Sequence, residues 1–279
     1  MNSVLKFHLF LNWEQGLSEL LIKSNLIYTI IRPVNMRGVI LAGGLGTRLH
    51  PCTKITNKHL LPVYNKPMIF YPLEMLTKLG FDEIMIVTGG NNAGDFLRLL
   101  GNGKDFGLRH LHYTYQEKEL GIADALSLCE FFAAGEPIFV ILGDNIFESI
   151  RSIKRGLDRY RQLKQGAMVF LKEVPDANRF GVAKFDGDKI KEIIEKPSEP
   201  PSHFAVTGAY IYDKKVFEII KTLSPSARGE YEITDVNNFY IRENKLDYEI
   251  VDGWWSDAGT FDSHLRASNL IKETGANNL

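Results

Sequence analysis

The sequence predicts an α/β fold, a mostly parallel sheet covered by helices on both faces and carrying an antiparallel insertion, and three observations predict it. Short β-rich runs alternate with amphipathic stretches through the first half. Two of those runs end in chemistry: one breaks into the glycine-dense turn Gly43-Gly44-Leu45-Gly46-Thr47-Arg48, another stops at Asp144. Binding residues in α/β folds collect beyond the carboxyl ends of strands. In the second half, successive β-rich runs have no helix between them, the pattern of antiparallel pairing.

Taken in order, residues 37–42, 83–88, 111–116 and 137–142 are predicted strands, and 67–79, 93–100 and 123–133 predicted helices, a βαβ series. A helix over 149–162 leads into strands at 167–172, 182–185, 190–194 and 205–212, an insertion expected to lie over the first half. Helices at 214–221, 233–242 and 261–272 follow. Residues 36–279 thus read as one domain, with halves 36–145 and 146–279.

Residues 1–35 read differently. Their apolar runs, 7–11 and 26–31, are too short for a bilayer, which takes about twenty apolar residues. The first contains His8 and no small-residue cleavage pattern follows, which argues against a secretory signal. Met36 directly precedes the first strand, so translation is expected to start there and 1–35 to be a non-native extension or a poorly ordered arm.

Over all 279 residues the chain is 44% hydrophobic and 24% charged, with a formal net charge of -1, so no global charge favours nucleic acid or a membrane surface. Cys52 and Cys129 have no metal-like spacing and make no disulfide framework, which suits a reducing cytoplasm.

The glycine turn carries the strongest chemical signal. Without Cβ atoms, backbone N–H groups can converge on phosphate oxygens, and Arg48 adds a rigid fork of donors for the same anion. The dinucleotide fingerprint is excluded, because Leu49 stands where its third glycine belongs and no Asp or Glu occurs between Leu49 and Glu74. An ATPase-type loop would end in Gly-Lys-Ser/Thr, and this one ends in Gly46-Thr47-Arg48. A triphosphate cradle for phosphoryl or nucleotidyl transfer remains, since an ordinary strand-to-helix turn needs neither three glycines nor an Arg.

Lys58 can add a second cation to that triphosphate; Lys54 and Lys66 read as surface cations. Asp144 can hold Mg²⁺ beside a phosphate, and Mg²⁺ takes one or two carboxylates plus waters and phosphate oxygens. Its candidate partner is Asp257, in Gly253-Trp254-Trp255-Ser256-Asp257-Ala258-Gly259-Thr260, an acid that alone reads equally as a helix N-cap. In Glu195-Lys196-Pro197, Lys196 would bind an anionic acceptor and Glu195 would accept hydroxyl donors of a sugar, unless the two form only an exposed ion pair. His110 and His112 share a strand face without a third ligand, and no serine sits in a nucleophile elbow.

The loop closing in Gly46-Thr47-Arg48-Leu49, the block Lys58-His59-Leu60-Leu61-Pro62, then Gly143-Asp144-Asn145, Glu195-Lys196-Pro197, Val206-Thr207-Gly208 and Arg228-Gly229-Glu230-Tyr231-Glu232-Ile233-Thr234-Asp235 occur in one order from about Met36 to Asn269. Together they resemble the sugar-phosphate nucleotidyltransferases, nearest to thymidylyl-transferring members of the short form. The resemblance implies a Rossmann-like nucleotide-diphospho-sugar transferase fold with an antiparallel sugar-binding insertion. It implies transfer from dTTP to α-D-glucose 1-phosphate, giving dTDP-glucose and pyrophosphate by direct Mg²⁺-dependent attack. Leu41, Gly43, Gly44, Gly46, Thr47, Arg48, Lys58, Gln116, Gly121 and Asp144 would bind the nucleotide, Gln116 and Gly121 reading the base. Leu142, Gly181, Glu195, Lys196 and Val206 would bind the sugar phosphate. Arg48, Lys58, Asp144, Lys196 and Asp257 would be catalytic, with Asp144 and Asp257 on the metal.

Some positions depart from the resemblance. Phe180 stands where a tyrosine is usual, which leaves hexose selectivity open, and His59 stands for a glutamine of the longer enzymes. Feedback at a second nucleotide site does not carry over to a short form, and homo-oligomer formation is left open. Thymine and uracil differ by one methyl, worth ~1–3 kcal/mol in a pocket, so UTP or dual use is an alternative. A non-catalytic nucleotide-sugar-binding homologue would be expected to lack an acid or the loop Arg, and this chain keeps them.

Overall fold

The structure, a computed structural model, describes residues 36–163 and 165–279. The expectation for residues 1–35 lies outside the described residues. The first half contains β1 (Arg37–Ala42), a small hairpin of β2 (Pro62–Val63) and β3 (Lys66–Pro67), then β4 (Glu83–Gly89), β5 (His110–Gln116), β6 (Ile138–Leu142) and β7 (Asn145–Phe147). The second half adds β8 (Ala167–Glu173), β9 (Gly181–Asp186), β10 (Lys189–Glu195), β11 (Phe204–Tyr212), β12 (Leu246–Ile250) and β13 (Trp255–Asp257).

A parallel block forms in the order β6-β1-β4-β5. β1 is buried on both faces, as a near-continuous apolar run in a parallel sheet requires. Val39 and Leu41 pack with Leu126, Phe217 and Val236 on one side of the sheet, Ile40 and Ala42 with Leu73, Leu76 and Ile153 on the other. Edge strand β5 instead leaves alternate positions exposed, His110 and His112 among them. From β1 the chain steps outward to β4 and β5, then returns to lay β6 on the opposite side of β1. That reversal opens a crevice at the carboxyl ends of β1 and β6. There the Gly143 N–H donates to the Leu41 carbonyl at 2.9 Å, so the glycine loop and Asp144 leave the sheet side by side.

The antiparallel strands correct one expectation. Rather than lying over the parallel block, they extend the same 9-stranded sheet: β11 runs antiparallel to β6, β8 and β9, with β10 beyond β9 and β12 parallel to β8. The paired strands satisfy one another's backbone groups edge to edge, which a second layer would leave to separate partners. β11 slips register against β8 between Val206 and Tyr210, and Gly208 lies in that irregular stretch. A Cβ on Gly208 would come 2.6 Å from Cγ of Asn145, so only glycine admits that side chain beneath the strand.

The predicted helix at 123–133 is two pieces, Ile122–Ser127 and Glu130–Ala133. Their buried residues Ala123, Leu126, Cys129 and Phe132 keep one periodicity across the break, which is why the pattern reads as continuous. β2, β3, β7, β12 and β13 were not expected, and the helix predicted from residue 67 starts at Phe70. β13 pairs with β7, setting Asp257 opposite Asn145. Asp257 is therefore a strand residue; the following helix, Phe261–Thr274, is capped by Thr260 and Ser263 in a reciprocal capping box.

Candidate active site

Two pockets meet at the carboxyl ends of β1 and β6, and Arg48, Leu142 and Asp144 line both. One, of about 300 Å³, holds Leu41, Gly43, Gly44, Lys58, Gln116 and Gly121. The other, of about 180 Å³, holds Gly181, Glu195, Lys196, Val206 and Asp257. Every site residue expected from the sequence lines one of them except Gly46 and Thr47. Thr47 lines a separate hollow on the outer side of the glycine loop. Gly46 has a left-handed φ of 64°, and a Cβ there would meet Lys58 Cβ at 2.9 Å. Its visible work is the turn itself, with its carbonyl accepting from Thr53 Oγ1 at 2.8 Å.

Lys58 is carried by a short 3-10 turn, Lys58–Leu60, which Asn57 caps by accepting from the His59 N–H. The Asn57 amide donates to the Ala42 carbonyl at 3.2 Å, so the turn is tied to the end of β1. The His59 ring meets the Asn57 oxygen through Nδ1 at 2.7 Å; burial and the neighbouring Lys58 charge push its pKa down to about 3, so it is neutral. A Cβ on Gly143 would come 2.7 Å from this ring, which explains the glycine before Asp144. So held, Lys58 Nζ reaches Asp144 Oδ2 at 2.5 Å.

Burial alone would raise the Asp144 carboxyl, but the Lys58 ammonium and hydrogen bonds from Lys58 and Asn145 reverse that and hold it well below the usual carboxylate range. Asn145 is the residue that sequence reasoning used only as part of a motif. Its Nδ2 donates to Asp144 Oδ1 at 2.9 Å, and its Oδ1 accepts from the Gly208 N–H and from Trp255 Nε1, at 2.8 and 2.7 Å. Asp144 is thereby tied to the wall of the second pocket.

Asp257 faces the same junction. Its carboxyl is raised, first by burial and then by the Asp144 charge, against the pull of Arg179 and Arg48. Arg179 was missed. Its Nη2 sits 3.2 Å from Asp257 Oδ2 and its Nη1 2.7 Å from Asp176 Oδ2, while its guanidinium lies over the Phe180 ring, 5.1 Å from the centroid. Phe180 in turn packs on Trp255 with ring centroids 4.9 Å apart. Arg48 is exposed and, among the described residues, makes no hydrogen bond through its guanidinium, leaving five donors for an incoming anion.

Around the smaller pocket, Glu195 is pinned by Thr234 Oγ1 at 2.6 Å and by Arg228 at 3.3 Å, and Arg228 also pairs with Glu232 at 2.8 Å. Arg228 and Glu232 belong to a motif quoted above but were given no role. Lys196, half exposed, holds a left-handed φ of 42° directly before Pro197. Such a backbone is costly for a lysine, and sites store strain of this kind where a side chain must be aimed. Lys66 is not merely a surface cation, since it pairs with Glu74 at 2.5 Å over the face of Tyr71.

No group of three or more His, Cys, Asp or Glu side chains converges on a metal position among the described residues. Asp144 and Asp257 nevertheless fit a divalent ion of the kind that completes its shell with phosphate and water. Asp144 is buried in the turn that leads into β7 and Asp257 is half-buried on β13, the strand paired with β7. The Asp144 charge raises the proton affinity of Asp257, a repulsion that a cation between them relieves.

A family profile described as Nucleotidyl transferase matches residues 37–274. The glucose-1-phosphate thymidylyltransferase of Mycolicibacterium smegmatis is 43% identical over 240 residues, covering 85% of this chain and 82% of its own length. That of Neisseria gonorrhoeae is also 43% identical over 240 residues, with 83% of its length covered. A Bacillus anthracis structure solved with sucrose, provisionally assigned the same activity, superposes with a TM-score of 0.81 at 50% identity, over 85% of this chain and 96% of that one. A UDP-glucose pyrophosphorylase solved with UDP-glucose superposes with a TM-score of 0.75 at 26% identity, over 85% and 98%.

Proposed function

The chain belongs to the nucleotidyl transferase family, and on that premise we propose that it transfers a thymidylyl group from dTTP to α-D-glucose 1-phosphate, releasing pyrophosphate. The observation that carries this reading is the pair of pockets sharing Arg48, Leu142 and Asp144, which lets a nucleotide and a sugar phosphate meet at one point.

The larger pocket takes the nucleotide, its base against Gln116 and Gly121 and its phosphates against the glycine loop, Arg48 and Lys58. The smaller takes the sugar phosphate, with Glu195 accepting from sugar hydroxyls and Lys196 neutralising the phosphate that attacks. In-line displacement at the α-phosphorus asks little covalent work of the protein, so alignment and charge placement supply most of the rate. Arg48 stabilises the departing pyrophosphate. Lys58, anchored at Asp144, adds a second cation to the same phosphates. Mg²⁺ held by Asp144 and Asp257 would neutralise charge on the reacting phosphate. The nucleophile is a phosphate oxygen already ionised at neutral pH, so no general base is required.

No described helix is long and apolar enough to cross a membrane. With two free thiols and soluble substrates, we place the enzyme in the cytoplasm.

The test is pyrophosphate release from a panel of nucleotides and sugar 1-phosphates, with Mg²⁺ and after chelation. Release is expected from dTTP with glucose 1-phosphate and to vanish with chelator. Release without any sugar phosphate would overturn the reading in favour of a hydrolase, and silence with every pair would leave a nucleotide-sugar-binding protein.

A further inference from the structure

The Gln116 side chain is held in a way that fixes which of its two faces a nucleotide can meet. It stands at the carboxyl end of β5, 7% exposed, on the floor of the larger pocket. Its Nε2 donates to Asp124 Oδ2 at 2.8 Å and to the Gly121 carbonyl at 3.3 Å. A primary amide has two N–H donors, and both are spent on the protein. Its Oε1 accepts no hydrogen bond among the described residues. It lies where a Cβ on Gly43 would come 2.8 Å from it, so the glycine at the mouth of the loop leaves room for this oxygen.

A carboxylate only accepts, so Asp124 pairs with the NH₂ end of the amide and never with its oxygen. A neutral partner with donors and acceptors of its own would let the amide turn over. Asp124 also sits in the first turn of the helix Ile122–Ser127, where an acid is favoured by the helix dipole; that bland role coexists with the contact.

We propose that Asp124 is a positioning residue for base selection: by fixing the Gln116 amide with its oxygen toward the pocket, it makes the site accept bases that carry an N–H at the centre of the pairing edge, thymine and uracil, and refuse cytosine. Cytosine presents a lone pair at that position. Two acceptors would then face each other, and a site built to accept a hydrogen bond discriminates strongly against a ligand that cannot donate one. The inference rests on the larger pocket being the nucleotide half of the proposed reaction.

The experiment compares dTTP, dUTP and dCTP with the wild type, Asp124→Asn and Asp124→Ala, by pyrophosphate release with glucose 1-phosphate and by calorimetric binding of each nucleotide alone. For the wild type, kcat/KM for dCTP is expected at least a thousandfold below that for dTTP, and dUTP within about a hundredfold of dTTP. In Asp124→Asn the dTTP to dCTP ratio should fall at least tenfold, the loss for dTTP falling on KM. A purely helical role for Asp124 would lower the melting temperature and leave that ratio unmoved, which overturns the inference. So does a wild type that binds dCTP as well as dTTP, a result that needs no variant to fold. If dTTP is bound selectively and the selectivity depends on Asp124, yet no sugar phosphate supports turnover, the inference stands and the proposed reaction falls.

Discussion

The two pockets are built by different means. Around the larger one the chemistry hangs on strand ends and backbone: Asn57 is tied to the Ala42 carbonyl, Gly143 to the Leu41 carbonyl, and Lys58 to Asp144 in a pair whose side chains are 14% and 12% exposed. Around the smaller one, position is set by more exposed side-chain ion pairs, Arg179 with Asp257 and Arg228 with Glu195, whose arginines are 33% and 39% exposed. The contrast teaches that a site can be rigid where charge must be placed on a triphosphate and more yielding where a sugar must enter and leave.

The sharpest way to break that contrast is Lys58→Met. It leaves Asp144 buried without its cation, so a loss of ~3–5 kcal/mol in denaturant unfolding is expected. A loss below about 1 kcal/mol would mean that the nucleotide side is no more rigid than the sugar side. Asp144→Asn should keep the fold and lower turnover by roughly a hundredfold or more, the scale of removing one charge-stabilising group. Turnover near wild type would refute its role on the metal.

His59 gives a pH signature to the same region. Its folded pKa of about 3 lies below the unfolded value near 6.5, so between those values the unfolded chain binds the extra proton. Stability is whole above pH 6.5 and falls on acidification by up to about 1.4 kcal/mol per unit, a slope that His59→Gln should flatten. Denaturant titrations at pH 7, 6 and 5 measure it. Lys196→Ala should raise KM for glucose 1-phosphate about tenfold while dTTP affinity is nearly kept, the size of one charged hydrogen bond. Equal losses for both substrates would move Lys196 to the triphosphate. The smallest effect is expected from Arg228→Ala: under about 1 kcal/mol in stability, as for exposed pairs, with a modest rise in KM for the sugar phosphate alone.

Legibility in the sequence follows the same division. β1 is a continuous buried run, the helix Ala93–Leu100 buries Phe96 and Leu100 at helical spacing, the helix Ile233–Arg242 buries a full stripe, and the glycine turn has a local signature, so all were readable. β13 has three residues, too few to show alternation, so Asp257 taken alone reads equally as a cap, and only its pairing with Asp144 favours the metal reading. Arg179 meets Asp257 across 78 positions and Arg228 meets Glu195 across 33, and no local pattern announces such a pairing. Asn145 was adjacent to a residue already singled out. Its importance lies in what it reaches through the register slip of β11, which depends on tertiary pairing.

That slip has a bearing on redesign. Anyone hoping to broaden the range of sugars by reshaping the strand beside the pocket will find position 208 closed, because any side chain there evicts Asn145 and slackens its grip on Asp144. Changes in acceptor range must come instead from Val206, which lines the same pocket, because Phe180 packs on Trp255 and under Arg179, the side chains that reach Asn145 and Asp257.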